Sequence, residues 1–129
     1  MIPQKTKLEI IEELFDNYYV KDPSKRAYGR YACKYYDKDT GNKCAVGMCM
    51  LDDHTAKLYN QYGGVGAIAR DLENKSSKLD DILKKEYHGH DRYFWGAMQH
   101  MHDSRDYWTD KGLSEDGLDK LRELKVRYS

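Results

Sequence analysis

The stretch that decides the fold is "RAYGRYACKYYDKDTGNKCAVGMCML", residues 26–51. Between residues 26 and 36 the side chains alternate with a period of two, which is typical of a strand. The segment "DKDTGN" that follows is rich in turn formers, and a second alternation comes after it: Cys44, Val46, Met48 and Met50. Together these features predict a β-hairpin with strands at roughly 27–36 and 42–50.

Helical patterns lie on both sides of this predicted hairpin. Thr6 with Glu9 three residues later is a capping-box signature, and the apolar spacing after it predicts a helix over roughly 6–20. The downstream segments that indicate short helices are 51–64, 63–74, 76–87, 91–103 and 113–128. The first of these is predicted to be capped by Asp52 or Asp53, the fourth by Asp91 and the fifth by Ser114. The sequence therefore predicts an α+β fold: an N-terminal helix, the hairpin, then several short helices packing on the hairpin.

Length and composition limit the classes of protein that this chain can belong to. Its 129 residues predict a single domain over 1–129. Lys+Arg and Asp+Glu balance at 22 each, so no overall field attracts bulk nucleic acid or membrane. The absence of a long apolar stretch and of a signal-peptide core predicts a soluble, cytoplasmic protein. Three cysteines, an odd number, favour free thiols in a reducing compartment.

The cysteines allow three interpretations. A nucleophilic Cys44 would need exposure at a helix N-terminus or a neighbouring base. A structural zinc module would need Cys33, Cys44 and Cys49 to be completed by a histidine, because they form no Cys-x2–4-Cys knuckle. The third interpretation, buried packing in an apolar strand, is the one that the surroundings favour. Gly47 inside that strand predicts the close approach of another backbone.

A histidine–aspartate pair provides an alternative enzymatic hypothesis. In HD-type metal phosphohydrolases a helix presents adjacent His and Asp to a metal, and His102-Asp103 could be that pair. The remaining ligands would then come from His54 or His88 and from Asp116 or Asp119. Residues two apart on a helix point about 200° away from each other, so His100 and His102 cannot share one ion. The chain is also short for that fold, so enzymatic activity is not the favoured expectation, and no catalytic or metal-binding residue is assigned.

A glycine pattern offers a weaker signal. Gly64-x-Gly66-x-x-Ala69 is superficially a dinucleotide-binding fingerprint. That fingerprint carries meaning only after a buried strand, and "LYNQY" precedes it here. A glycine loop that leads into a short helix is the favoured interpretation, and no cofactor is expected.

The favoured ligand-binding residues lie on one face of the first predicted strand. They are Arg26, Tyr28, Arg30, Lys34 and Tyr36. Cations beside aromatic rings suit phosphates and bases, through charge-assisted hydrogen bonds and stacking. The alternative is a solvated strand face with ordinary cross-strand pairs. Twelve tyrosines against two phenylalanines fit either a ligand pocket or a wet protein interface.

Two motifs resemble a known group of proteins. The first runs from Cys33-Lys34-Tyr35 through a turn with Gly41 to "KCAVG" at 43–47, followed by Asp52-Asp53. The second is "MQHMHD" at 98–103 with Trp108. Both are similar to a family of small uncharacterised tailed-phage and prophage proteins with a C-x-Y…G-x-K-C-A-V-G hairpin and a Q-x-x-H-D helix. The resemblance covers roughly residues 30–125; Met98 replaces the usual Leu, and "HGHD" at 88–91 is not a family feature.

The resemblance implies a phage accessory protein that acts in the cytoplasm of an infected host. Such proteins are commonly non-enzymatic binders that counteract a host defence or a host enzyme. The implied partner is a host defence protein or an anionic nucleotide signal, and a homo-oligomer is a further expectation. This inference rests on the phage origin that the resemblance implies and not on the chemistry of individual residues.

Overall fold

A computed structural model describes residues 4–27, 34–60 and 62–129 of the chain. Its α-helices are α1 (Lys7–Ile11), α2 (Ala45–Cys49), α3 (Asp53–Leu58), α4 (Val65–Asn74), α5 (Arg92–Asp103) and α6 (Glu115–Arg127). A π-helix, Glu12–Tyr19, directly continues α1. Short 3-10 turns occupy Pro23–Lys25, Leu79–Ile82, Lys85–Tyr87 and Arg105–Tyr107. The strands are β1 (Trp108–Thr109) and β2 (Gly112–Leu113).

The N-terminal helix is present where the sequence predicts it. The Thr6 hydroxyl accepts a hydrogen bond from the Glu9 N–H (3.1 Å), and the Glu9 carboxylate accepts one from the Thr6 N–H (2.9 Å). This reciprocal capping box satisfies two donors at the start of the helix. At the far end, the Val20 N–H donates to the Phe15 carbonyl (2.9 Å), which is the five-residue spacing of a π-helix.

The position predicted for the hairpin, 27–36 and 42–50, is wrong for the residues that the structure describes. Ala45–Cys49 is helix α2, and residues 34–36 form no strand. One parallel bridge joins Arg26 to Lys43, so these segments meet side by side in the same direction. Residues 28–33 of the first predicted strand lie outside the described residues.

The first turn of helix α2 is stabilised by one local hydrogen-bond partner and one distant partner. The Cys44 sulfur accepts from the Gly47 N–H (3.4 Å), and the side-chain oxygen of Gln99 accepts from the Val46 N–H (3.3 Å). Ala45, Val46 and Gly47 are all buried, so the alternation of the sequence does not separate a core face from a solvent face. A short apolar run of this kind cannot be assigned to strand or helix by periodicity alone.

The α+β class is confirmed, with the hairpin at a different place in the chain. Strands β1 and β2 pair antiparallel, with Trp108 opposite Leu113 and Thr109 opposite Gly112. Gly112 has φ +136°, a backbone conformation suited to glycine, which allows the tight return. The Trp108 indole N–H donates to the Met101 carbonyl (2.8 Å), which holds the hairpin against the end of α5.

Three further helices begin at the caps that the sequence predicts. Asp52 accepts from the Thr55 N–H (2.8 Å), Asp91 from the Phe94 N–H (2.9 Å) and Ser114 from the Gly117 N–H (3.0 Å). Helix α4 follows a glycine loop, and no strand precedes it among the described residues. The glycine loop and short helix are therefore confirmed for this segment.

The helix predicted over 76–87 is instead two 3-10 turns. The Leu51 N–H donates to the Ile82 carbonyl, and the Lys84 N–H donates to the Cys49 carbonyl, both at 2.9 Å. An antiparallel bridge between Met50 and Leu83 lies between these bonds. The backbone of Leu83 and Lys84 is extended where it pairs with this distant segment, and it separates the two 3-10 turns.

The elements enclose one hydrophobic core. Its largest fully buried side chains are aromatic: Trp95, Tyr19, Phe15 and Phe94. Their rings contact one another edge-on or tilted, as in the Phe94–Trp95 pair at 5.1 Å. Every helix in the described part of the chain is too short or too polar to cross a bilayer.

Candidate functional site

The segment 34–38 crosses the end of α3 with one tyrosine inside and its neighbours outside. The Tyr35 ring is buried, and its hydroxyl donates to the Gly63 carbonyl (3.0 Å). Asn60 holds the next residue from both sides, because its side-chain N–H donates to the Tyr36 carbonyl (2.7 Å) while its oxygen accepts from the Tyr36 N–H (3.0 Å). With Tyr35 inside, Lys34 is left exposed and Tyr36 half-buried at the surface.

Three lysines and a tyrosine surround a hollow at this place. The hollow has a volume of about 390 Å³ and is lined by Lys34, Tyr36, Lys38, Lys57 and Asn60, here called the lysine pocket. The Lys57 ammonium lies 4.8 Å from the centre of the Tyr36 ring, within cation–π range. An ammonium group on a flexible stem can turn toward an anion, and the ring keeps one wall apolar.

The lysine pocket is positively charged because carboxylates are absent from its lining. The five described lining residues include three lysines and no Asp or Glu. The Asp37 carboxylate, next in sequence, accepts from the Asp39 N–H of its own turn (3.1 Å). Asp53 at the start of α3 pairs with Lys43 instead (2.6 Å). The local field therefore favours an anion, although the whole chain has no net charge.

Two of the ligand-binding residues that the sequence predicts lie in the lysine pocket, and a third lies elsewhere. Lys34 and Tyr36 line the lysine pocket. Arg26 lies elsewhere: its guanidinium donates to the His102 carbonyl (3.0 Å from Nε) and stacks 4.6 Å from the Trp108 ring centre. Tyr28 and Arg30 lie outside the described residues.

Three members of the lysine pocket are absent from the sequence prediction: Lys38, Lys57 and Asn60. Lys38 is in the polar turn after the predicted strand, and the other two belong to α3 and its end. No local pattern distinguishes Lys57 from other exposed helical lysines. Asn60 is recognised only by its two bonds to Tyr36, a residue 24 positions earlier.

His102 and Asp103 form part of a partly buried hydrogen-bond chain. His102 is fully buried, with its Nδ1 2.7 Å from an Asp103 oxygen. The Gln99 side-chain N–H donates to both Asp103 oxygens (3.1 and 3.2 Å), while the Gln99 oxygen accepts from Val46. Burial lowers the pKa of His102, and the contact with Asp103 opposes that shift. This chain joins the end of α5 to the start of α2.

The other candidate metal ligands are dispersed. His54 is exposed on α3, and His88 contacts the Leu83 carbonyl through Nε2 (2.9 Å). Asp116 and Asp119 are exposed on α6. Within residues 4–27, 34–60 and 62–129, no group of three or more His, Cys, Asp or Glu side chains is arranged to hold a metal ion.

Two of the three cysteines are buried as predicted. Cys44 and Cys49 are both fully buried free thiols, and Cys33 lies outside the described residues. Burial raises the pKa of the Cys49 thiol, which suppresses its reactive thiolate form. Gly47 behaves as predicted in one respect: a Cβ there would lie 2.1 Å from the Tyr35 carbonyl oxygen, so another backbone does approach closely.

No family model, curated protein or solved structure matches this chain. A functional proposal therefore depends on the geometry and charge of the lysine pocket.

Proposed function

We propose that this protein is a non-enzymatic binding protein that captures a phosphate-bearing nucleotide in the lysine pocket. The observation that carries the proposal is a hollow of about 390 Å³ whose lining contains three lysines and one aromatic ring. This volume lies within the range of small-molecule sites, roughly 300–1,000 Å³.

The lining residues have different roles in binding the nucleotide. Lys34, Lys38 and Lys57 donate charge-assisted hydrogen bonds to phosphate oxygens. The Tyr36 ring offers a face to a base, an interaction that tolerates any base because each has a π-face. Asn60 uses both polar ends of its amide on the Tyr36 backbone, so it positions the ring and leaves ligand contacts to the lysines.

The charge distribution favours a small anion over a polyanion. Bulk nucleic acid is held through many phosphate contacts, each of which needs a cation. The described lining supplies three lysines on a chain with 22 basic and 22 acidic residues. A mononucleotide, a cyclic oligonucleotide or an ADP-ribose derivative presents a charge that this pocket can match.

The proposed biological setting follows from the resemblance to tailed-phage accessory proteins. In that setting the protein sequesters a host nucleotide signal in the cytoplasm of an infected cell, as a homo-oligomer in which each chain has one such pocket. A host defence protein is the other partner class that the resemblance implies. The lysine pocket favours the nucleotide, because its lining is concave and small.

Calorimetry against cyclic di- and trinucleotides, ADP-ribose and mononucleotides tests the proposal directly. The wild type is expected to bind at least one of them, and Lys57→Glu to weaken that binding by about tenfold or more, since it puts a repelling charge beside the phosphate. Lys111→Glu is the matched control, because Lys111 is exposed in the hairpin turn, away from the pocket lining. The absence of binding to every nucleotide, or equal weakening by both variants, would contradict the proposal.

A further inference from the structure

A second hollow lies between the exposed faces of α4 and α5. It has a volume of about 460 Å³ and is lined by Gly66, Arg70, Arg92, Tyr93 and Gly96, here called the arginine groove. Gly66 and Arg70 are four residues apart on α4, and Arg92 and Gly96 are four apart on α5. Each pair therefore shares one face of its helix. None of these residues belongs to the lysine pocket.

Packing does not account for the two glycines of the arginine groove. A Cβ added at Gly66 or Gly96 would meet no atom within 4 Å. Neither residue has a positive φ, and glycine inside a helix lowers its stability relative to alanine. By contrast, a Cβ at Gly47 or Gly117 would lie 2.1 Å from a backbone oxygen. Gly66 and Gly96 instead keep the floor of the groove free of side chains.

The walls of the arginine groove carry cations and an exposed ring. Tyr93 is 70 % exposed, a high value for a large aromatic side chain. The Arg92 guanidinium lies 5.2 Å from the centre of the Tyr93 ring and donates to its hydroxyl (3.2 Å). Arg70 is exposed and makes no ion pair with any residue in the described part of the chain. A guanidinium fork matches phosphate oxygens in pairs.

Arg92 and Tyr93 also line a neighbouring hollow that is less suited to an anion. It has a volume of about 550 Å³, and its lining includes three acidic residues, Glu73, Asp80 and Asp91, beside Lys78 and His90. The hydrogen bond to Tyr93 raises the pKa of Arg92 most, and the Glu73 charge adds to that shift. An anion is therefore favoured in the arginine groove, whose described lining has two arginines and no carboxylate.

We propose that the arginine groove is a second ligand site, which takes a nucleoside monophosphate. Arg70 and Arg92 hold the phosphate, the Tyr93 ring provides a stacking surface for the base, and the floor of Gly66 and Gly96 admits the ligand close to the helix backbones. This site is independent of the lysine pocket and goes beyond the function proposed for it.

An NMR titration of the ¹⁵N-labelled protein with AMP tests the second site. The backbone amides of Gly66 and Gly96 are expected to shift in a saturable way at millimolar AMP. Arg70→Ala is expected to weaken this response by about tenfold. Gly96→Met fills the groove from a position with free space around its Cβ, and it is expected to abolish the response of the Gly66 amide while the rest of the amide spectrum remains that of a folded protein. Arg122→Ala, an exposed arginine on α6, is the matched control and should leave the response unchanged.

Two further measurements test which parts of AMP are bound and whether the groove acts independently of the lysine pocket. Inorganic phosphate and adenosine, titrated separately, should each shift the two glycine amides more weakly than AMP, because each supplies half of the contacts. Lys57→Glu should leave the glycine response intact, so failure of the lysine pocket does not remove this site. The proposal is overturned if AMP leaves both amides unshifted, or if the shifts survive Arg70→Ala and Gly96→Met.

Discussion

At the scale of single residues, glycine has two different roles in the helices of this protein. A Cβ added at Gly47 in α2 would lie 2.1 Å from the carbonyl oxygen of Tyr35. A Cβ added at Gly117 in α6 would lie 2.1 Å from the carbonyl oxygen of Tyr107. A carbonyl oxygen of the main chain cannot move aside as the tip of a long side chain can. These two positions exclude every other residue, whereas Gly96 does not.

The glycines provide a prediction with an internal control. Gly47→Ala and Gly117→Ala should each lower the free energy of unfolding by about 1–3 kcal/mol, because the added methyl forces the backbones apart. Gly96→Ala should raise it by about 0.5–1 kcal/mol, because alanine favours the helix and the methyl meets open space. Urea unfolding of the three variants measures both effects. If the free energy of unfolding changed in the same direction in all three variants, the two roles assigned to these glycines would be contradicted.

At the scale of elements, the N-cap residue of α6 does more than start the helix. The Ser114 hydroxyl oxygen accepts from the Gly117 N–H (3.0 Å), and its O–H donates to the Asp106 carbonyl. One side chain therefore caps the helix and ties it to the 3-10 turn before the hairpin. Loss of that hydroxyl leaves a helix donor and a carbonyl without this partner.

Ser114→Ala is expected to lower the free energy of unfolding by about 1 kcal/mol, the usual loss for an N-cap hydroxyl. Ser77→Ala is the matched control, because Ser77 precedes a 3-10 turn and caps no helix among the described elements. Thermal and urea unfolding of the two variants measure the difference. A Ser77 variant as destabilised as the Ser114 variant would show that the effect is not one of capping.

At the scale of the whole molecule, the buried His102 and the half-buried His90 couple stability to pH. Burial lowers the pKa of both histidines, and His90 is the less buried of the two. The hydrogen bond with Asp103 opposes the shift at His102, and the hydrogen bond with the Lys5 carbonyl opposes it at His90. The unfolded chain then binds protons more readily than the folded one near pH 6.5, the ordinary value for histidine. Their contribution to stability is complete above that pH and is lost as the pH falls through the lowered values.

The free energy of unfolding is therefore expected to fall between about pH 7 and pH 5. The lowered carboxyl pKa values of Glu9 and Asp52 act in the same direction but at lower pH, so they do not account for a loss in this window. Urea unfolding across the pH range measures the loss, and histidine NMR titration assigns it to His90 and His102. A stability that is constant or higher at the acidic end would contradict the coupling.

The sequence alone determined the elements whose signals are local. The caps at Thr6, Asp52, Asp91 and Ser114 were all predictable, because an N-cap side chain bonds to a backbone N–H two or three residues away. The cationic and aromatic character around Lys34 and Tyr36 was also visible in the sequence. These features need no knowledge of which distant segments meet.

Tertiary structure decided the features that depend on distant partners. Helix α2 replaces a predicted strand because Gln99, 53 residues away, bonds to the Val46 N–H. The helix predicted over 76–87 is interrupted at Leu83 and Lys84, because backbone pairing with 49–51 holds them extended. The lysine pocket likewise exists because Asn60 holds the Tyr36 backbone beside α3. Hydrogen bonds and close backbone contacts between residues far apart in the chain override a local alternation, since a short apolar run such as residues 44–51 is compatible with either helix or strand.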